Sequence, residues 1–450
     1  MHFPNMIRPL GLLLLVELAA GGAMAQGDGG SPYSAYGLGD LITTGQAVQA
    51  LSAGTGTAIT EPFSVIPGNP ASYPLLARPV FESAVSFTSL RSTAANANST
   101  ARDLRFMGFS LGVPFGQGKW GLALGLAPFS KVGYEAVRSD LEQGIPVQYK
   151  YTGSGGLDRA FVGLGRTLYQ QRADSVGNAG TRINLGADFN FVFGSIGATR
   201  EALYPLDDGY SNIRAFSNLF LAAPTATVSA IWQGDLTKKT TRDDRNWRWS
   251  AGISMGVPAN LKAQYSNLVT SYTVRSGIEV TRDTVEHEDK AKGHVRMPVR
   301  LKAGIGVQNA NWAFALERTQ QDWNATAVEV PGYEWSSSMR NTVSWAAAAR
   351  FRPGGEGGIF HRSVYRMGFR LGQAPQQVRG NALNESAITA GISLPLNAVQ
   401  TNSWLHLGVE MGQRGTLDHG LLQEQRAVVW IGLAFTPWRG ERWFTPSKIQ

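Results

Sequence analysis

Apolar residues return at every second position along much of the chain. Ile183, Leu185, Ala187, Phe189, Phe191 and Phe193 are separated by Asn184, Gly186, Asp188 and Asn190. Trp247, Trp249, Ala251, Ile253, Met255 and Val257 alternate with polar residues and glycine, and Val295 to Val307 repeats the rhythm with Arg296, Arg300 and Lys302 between. It returns in Tyr365–Leu371, Leu405–Met411 and Val429–Phe435. Successive strand residues face opposite sides, so each stretch has one greasy face and one face of Gly, Ser, Asn, Arg or Glu. The stretches run to roughly nine to thirteen residues, longer than the five or six of a soluble sandwich strand and sufficient to cross lipid at a tilt. About fourteen fit between Phe81 and Phe435, whereas a lipocalin-like soluble barrel uses about eight. The pattern predicts an all-β fold: a transmembrane antiparallel β-barrel over residues 79–438, with a C-terminal tail at 439–450.

Turns are predicted at 116–119, 309–311 and 353–358, where Gly, Pro and Asn cluster. Polar stretches at 138–146, 200–212, 235–246, 282–293 and 373–384 read as longer loops. Trp120, Trp247, Trp249, Trp312, Trp323, Tyr333, Trp335, Trp404, Trp438 and Trp443 fall near strand ends, as interfacial girdles require, with a share left for the core.

Composition narrows the choice further. Charged residues are 16% of the chain, against about 25% in a soluble domain. No stretch of 18 apolar residues follows the N-terminus, which excludes a helical membrane protein. Residues 1–25 read as a signal peptide: Arg8, the apolar Leu12–Val16 and the small-x-small site Ala23-Met24-Ala25 predict Gln26 as the mature start. Export and a barrel together predict the outer membrane of a Gram-negative cell, with the lipid bilayer as partner. The chain has no cysteine, so closure of the barrel must supply what disulfides give other secreted proteins. The net charge of +8 comes from dispersed Lys and Arg, which excludes the clustered footprint of a nucleic-acid binder.

Residues 26–78 lack long alternation and are rich in Gly, Ala, Ser, Thr and Pro. They are predicted as a plug, or hatch, inside the barrel. Within them stand Ala53-Gly54-Thr55-Gly56-Thr57-Ala58 and Ile66-Pro67-Gly68-Asn69-Pro70-Ala71. Later come Trp312–Glu317 with Trp323, Tyr365–Arg370 through Pro375, and Glu385–Pro395. In this order the segments resemble the long-chain fatty-acid transporter family of outer-membrane barrels (FadL/TodX type), whose hatch carries an Asn-Pro-Ala motif. Ser31–Ser34, Gly37–Asp40 and Trp443-Phe444 are similar to members from bacteria with type IX secretion. The resemblance implies a 14-stranded barrel, a hatch marked by Asn69, Pro70 and Ala71, and passive uptake of hydrophobic small molecules such as long-chain fatty acids or aromatic hydrocarbons. The alternative is a non-transporting barrel that serves secretion-system proteins as partner or shuttle. Two departures stand out. No apolar helical insertion is evident for an outer ligand groove, residues 213–223 being the nearest, and a tail follows Phe435.

Arg or Lys at the lipid midplane costs about 2–4 kcal/mol, so Arg248, Arg296, Arg300, Arg366, Arg370 and Glu410 are expected to face the lumen. There they can anchor the hatch or receive a carboxylate head group. Asp188, Lys302, Glu317 and Arg350 fall on the same polar faces. No enzyme, metal site or cofactor is predicted. Gly108-x-Ser110-x-Gly112 and Gly252-x-Ser254-x-Gly256 match a nucleophile-elbow pattern but lie in alternating strands rather than at a strand-to-helix turn. His406 reads as a lumen hydrogen-bonder. Asp207-Asp208 and Asp243-Asp244 are loop pairs without fixed geometry, and the acidic run Asp283–Asp289 reads as a solvated loop.

Overall fold

The computed structural model describes residues 30–175, 178–205, 209–238, 246–333, 339–354, 357–396 and 403–436. The signal segment, both Asp pairs, Trp335, Trp438 and the tail with Trp443 lie outside the described residues.

Fourteen staves close into one antiparallel barrel. They are β1 (Val80–Thr93), β2 (Asn98–Phe115), β3 (Trp120–Glu142), β4 (Ile145–Gln170), β5 (Arg182–Leu203) and β6 (Asn212–Asp235). Two broken staves follow, β7 (Arg248–Gly256 and Ala259–Arg275) and β8 (Ile278–Met297 and Arg300–Gln308). The rest are β9 (Trp312–Gln321), β10 (Thr342–Phe351), β11 (Val364–Val378), β12 (Asn381–Pro395), β13 (Trp404–Gly415) and β14 (Gln423–Phe435). β14 returns to β1, with Gln423 opposite Thr93 and Phe435 opposite Phe81. Closure pairs each stave with two neighbours, β2 and β3 over their lower part only, and so leaves little edge in the lipid, where an unpaired backbone group would be costly. Among the described residues no helix is long and apolar enough to cross a membrane.

The alternation decides which face meets lipid. Phe189, Phe191, Ile253, Ile305, Phe369 and Val429 are all more than 40% exposed, while their neighbours Asp188, Asn190, Ser254 and Val428 point inward and are buried. The apolar band spans about nine residues per stave, or roughly 20–25 Å at the usual tilt. Its lower margin carries an aromatic girdle. Phe115 stacks on Trp120, Trp232 meets Trp249 edge-on, and Trp312 packs against Phe314 and Phe351. Trp323 and Trp404, two of the expected girdle residues, are instead buried in the interior. Staves begin and end at this lower rim, which is therefore the periplasmic one.

The expected outer loops at 138–146, 282–293 and 373–384 are instead largely strand, and in 200–212 strand covers only 200–203 and Asn212 among the described residues. β3 to β8 run far past the band and form a tall wall on one side; the twenty residues of Ile278–Met297 alone rise about 50 Å at barrel tilt. Two-residue turns join the tips at Gln143-Gly144, Ser276-Gly277 and Arg379-Gly380, with both φ values positive in each, the geometry that suits right-twisted hairpins.

One expectation is corrected here. Ala222 pairs with Lys262 and Thr227 with Gly256, so five steps along β6 oppose six along β7. The extra residue, beside Pro258, reverses which face each side chain takes. β8 follows at Pro298, and so Val295 and Met297 are buried inside while Arg296 is exposed on the outer face, not in the lumen. Residues 213–223 are likewise strand rather than a helical insertion, with Leu219 and Leu221 inside and Phe216 and Phe220 outside.

Candidate functional site

The interior is filled by the N-terminal segment. It enters at the top, where Ser34 donates to the carbonyl of Gly133 at 3.1 Å and Tyr33 donates to that of Leu422 at 2.7 Å. It descends through a short helix α1 (Ala47–Ala50) and ends near the lower rim in the 3-10 turn Pro70–Leu75. Barrel glycines make the space. A Cβ on Gly121 would lie 2.2 Å from the Tyr73 backbone, on Gly186 2.4 Å from that of Pro70, and on Gly252 2.0 Å from the Thr57 carbonyl oxygen. On Gly408 it would lie 2.1 Å from Leu51. The glycines read in the sequence as one polar face are thus a seat for backbone and small side chains.

Barrel side chains then bind the hatch backbone. Glu317 accepts from the amides of Gly56 at 2.9 Å and Thr57 at 2.8 Å, and from Lys302 at 3.2 Å. Glu82 accepts from Val65 at 2.9 Å, Ser229 from Ala71 at 2.8 Å, and Ser254 donates to the carbonyl of Gly68 at 2.7 Å. Hatch Glu61 pairs with Arg350 at 3.2 Å and Arg366 at 3.1 Å. Burial pushes the Glu61 carboxyl up, but the two guanidinium groups outweigh it and hold it below the ordinary value. At the top Arg414 joins Asp40 at 2.7 Å, Glu424 at 2.7 Å and Ser31 at 2.5 Å.

The expected site residues separate into groups. Asn69 is buried and its amide donates to the carbonyls of Gly56 and Thr57, folding the hatch on itself; Pro70 opens the 3-10 turn and Ala71 is fully buried. Arg366 holds the hatch. Arg370 reaches Glu410 at 3.1 Å, which also takes Arg426 at 2.7 Å. Arg248 pairs with Asp235 at 3.3 Å at the lower mouth. Arg300 stands apart: among the described residues it makes no hydrogen bond or ion pair. With Arg159, which sequence reasoning missed, it lines a cavity of about 180 Å³ between hatch and outer wall. Leu41, Phe129, Val192, Met297 and Trp323 give that cavity apolar walls. The loop after β9 closes it from above, with Trp323 and Val330 buried against Leu219, Leu221 and Leu261. Arg159 could have been found from its lumen parity with Phe161 and Gly163.

The barrel wall parts beside this hatch. β2 pairs with β3 only between Phe109–Phe115 and Trp120–Leu126. Above that, among the staves, β2 continues with β1 only and β3 with β4 only. Gly108 sits at the parting with φ +82, where a Cβ would lie 1.9 Å from the Leu126 carbonyl oxygen. The cleft is crossed by Lys131–Asp103 at 2.6 Å and covered by the hatch, whose Asp40–Leu41 pairs with Lys131 and Ser130 on β3.

The same geometry explains the Gly-x-Ser-x-Gly matches. Gly108 serves the parting, Gly112 seats Leu76 and Val65, Gly252 seats Thr57, and Ser254 is bonded to Gly68. Neither serine lies at a turn into a helix. His406 Nδ1 lies 2.7 Å from Ser393 Oγ, a lumen hydrogen bond. The acidic run Asp283–Asp289 is strand rather than loop, and no three metal-ligating side chains gather among the described residues.

A family model, BamG, matches residues 6–450. The chain belongs to the BamG family. No curated protein matches the sequence. Among solved structures this BamG-family barrel is similar to the Ralstonia pickettii toluene transporter TbuX, with a TM-score of 0.54 at 12% identity over 88% of this chain and 99% of that one. It is similar also to the P. putida toluene transporter TodX, with a TM-score of 0.54 at 13% identity over 89% of this chain and 100% of that one. The likeness is one of fold: a closed antiparallel barrel.

Proposed function

We propose that this BamG-family barrel is an outer-membrane channel for passive uptake of hydrophobic small molecules. The observation that carries the reading is the parting of β2 and β3 beside the hatch, which offers a ligand above the hatch a side route into lipid. The names of TbuX and TodX, toluene transporters, support the ligand class. The 180 Å³ cavity is of the order that accepts a benzene-sized guest, about 150 Å³. Its cationic floor favours an amphiphile: Arg159 and Arg300 receive a carboxylate while the chain lies against Phe129, Met297 and Trp323. The carboxylate end of a long-chain fatty acid fits that description better than a bare hydrocarbon, the rest of its chain extending beyond the cavity. Arg366, Arg370 and Glu410 then serve the hatch. Uptake of labelled oleate and toluene by cells with and without the protein tests this. Oleate uptake should fall on deletion and in an R159M/R300M variant; unchanged uptake of both compounds on deletion would end the proposal.

A second reading, a barrel that partners secreted or assembling proteins, is favoured by the tall wall of β3 to β8, far larger than a small-molecule channel requires. Recovery of a stable protein partner with the detergent-solubilised barrel, together with unchanged oleate uptake on deletion, would favour it over the first.

A further inference from the structure

The outer face of the barrel carries an unpartnered pair of cations beside the parting. On β1 and β2 the lipid-facing residues run Val85, Phe87, Ser89, Arg91 and Phe106, Leu104, Arg102, Thr100. Val85 lies opposite Phe106 and Phe87 opposite Leu104, Ser89 opposite Arg102 and Arg91 opposite Thr100. Phe87, Leu104 and Phe106 are 44%, 46% and 56% exposed and close the top of the apolar band. Arg102 is the next outward residue above Leu104. Arg91 is its diagonal cross-strand neighbour, a spacing of about 7–8 Å between backbones that brings two long side chains to one point.

Among the described residues nothing balances these charges. No Asp or Glu occurs between Glu82 and Asp103. Both of those carboxylates face inward, to the hatch amide of Val65 and to Lys131. The outward positions beside β1 on β14 and β13 are Gln425 and Gln413. Arg91 and Arg102 are exposed and make no ion pair or hydrogen bond among the described residues. Like charges facing each other across a sheet are unfavourable without a counter-ion. Their height is that of the outer-leaflet head groups.

We infer that Arg91 and Arg102 form a binding site for the phosphate of an outer-leaflet glycolipid, whose acyl chains lie on Phe87, Leu104 and Phe106. Two guanidinium forks suit a phosphate's several oxygens. The site holds a lipid against the parting of β2 and β3 and is distinct from the lumen.

The test uses the purified full-length mature protein in phosphatidylcholine nanodiscs containing bisphosphorylated lipid A, or its dephosphorylated form, followed by native mass spectrometry. Wild type should retain the phosphorylated lipid and not the dephosphorylated one. R91Q/R102Q should lower retention by about 30-fold, each surface arginine contributing about 1 kcal/mol toward an anionic head group. R166Q, at the lower rim beside Trp120, should behave as wild type. Millimolar inorganic phosphate should not displace the lipid. Equal retention of both lipid forms, equal retention by the double variant, or displacement by free phosphate would overturn the assignment.

Discussion

Removing Glu317 should release the hatch at one defined place. Glu317 is 4% exposed and one carboxylate oxygen takes both the Gly56 and Thr57 amides, while the other takes Lys302. In E317A the two amides lose their acceptor and Lys302 is left buried without its partner. Breaking a buried pair by removing one member costs about 3–5 kcal/mol. Since the barrel ladder around Leu316 and Arg318 is unaffected, most of that falls on the hatch. At tenfold per 1.4 kcal/mol, local opening of residues 55–58 becomes about a hundred- to a few thousandfold more frequent. Hydrogen–deuterium exchange of the folded protein in detergent micelles reads this directly, with the β9 amides as internal reference. The apolar replacement K302M/E317L should recover part of the loss, because no unpaired charge remains. Protection of the Gly56 and Thr57 amides within threefold of wild type in E317A would refute the reasoning.

Three other perturbations test the same framework. G252A places a methyl 2.0 Å from the Thr57 carbonyl oxygen, and overpacking of about 1–3 kcal/mol should appear as a lower hatch melting temperature in calorimetry with barrel unfolding little changed. Glu61, held below its ordinary value of 4.5 by Arg366 and Arg350 against the opposing effect of burial, contributes fully above pH 4.5 and loses its contribution as pH falls through its lower folded value; protection factors at residues 60–66, corrected for the intrinsic pH dependence of amide exchange, should hold from pH 7 to 5 and fall as the pH drops below 4.5. F189K, at an outward position 55% exposed to lipid, should cost about 2–4 kcal/mol in urea unfolding from vesicles, whereas no cost would mean that this face does not meet hydrocarbon.

The barrel was legible because alternation is a two-solvent signal. Where one face meets hydrocarbon over a whole stretch, as in Ile183–Phe193, the sequence has little freedom. Above the membrane both faces of a stave meet water, and the signal vanishes: Thr281–Asp289 is polar but for Val285 yet is strand, because its register is set by β7 and by a two-residue turn. Ser276-Gly277 and Gln143-Gly144 lack the Asn-Gly or Asp-Gly that marks such turns most clearly. Arg296 was misplaced for a related reason. A single inserted residue beside Pro258 reverses the facing of two staves, and period-2 reading carries no memory of such a step. The hatch residues were found by motif, but their partners on the barrel, Glu317, Ser229 and Ser254, are separated from them by more than 150 residues and become related only through closure.

Among the described residues the ion pairs of the hatch are concentrated in its upper half, and that division bears on how it opens. Its lower half, Val65 to Val80, packs Tyr73, Leu76 and Val65 against Ala123 and Phe161 and is continuous with β1. Opening it exposes apolar surface at about 25 cal/mol per Å². Its upper half, from Ser31 to Glu61, also buries Tyr33, Leu38 and Leu51, and adds ion pairs and hydrogen bonds with Arg414, Glu317, Arg350 and Arg366. Buried ion pairs gain little net stability over their separated, hydrated ions, so water entering the lumen can replace them at small cost once the first contact parts. An arriving anion competes for the same cations. Movement should therefore begin at the top, next to the cavity and the parted wall, with the lower turn of Asn69, Pro70 and Ala71 staying seated as the hinge. Exchange in E317A should accordingly spread upward from Gly56 toward Asp40 and stop before Tyr73. Loss of protection at Tyr73 first would place the hinge at the opposite end.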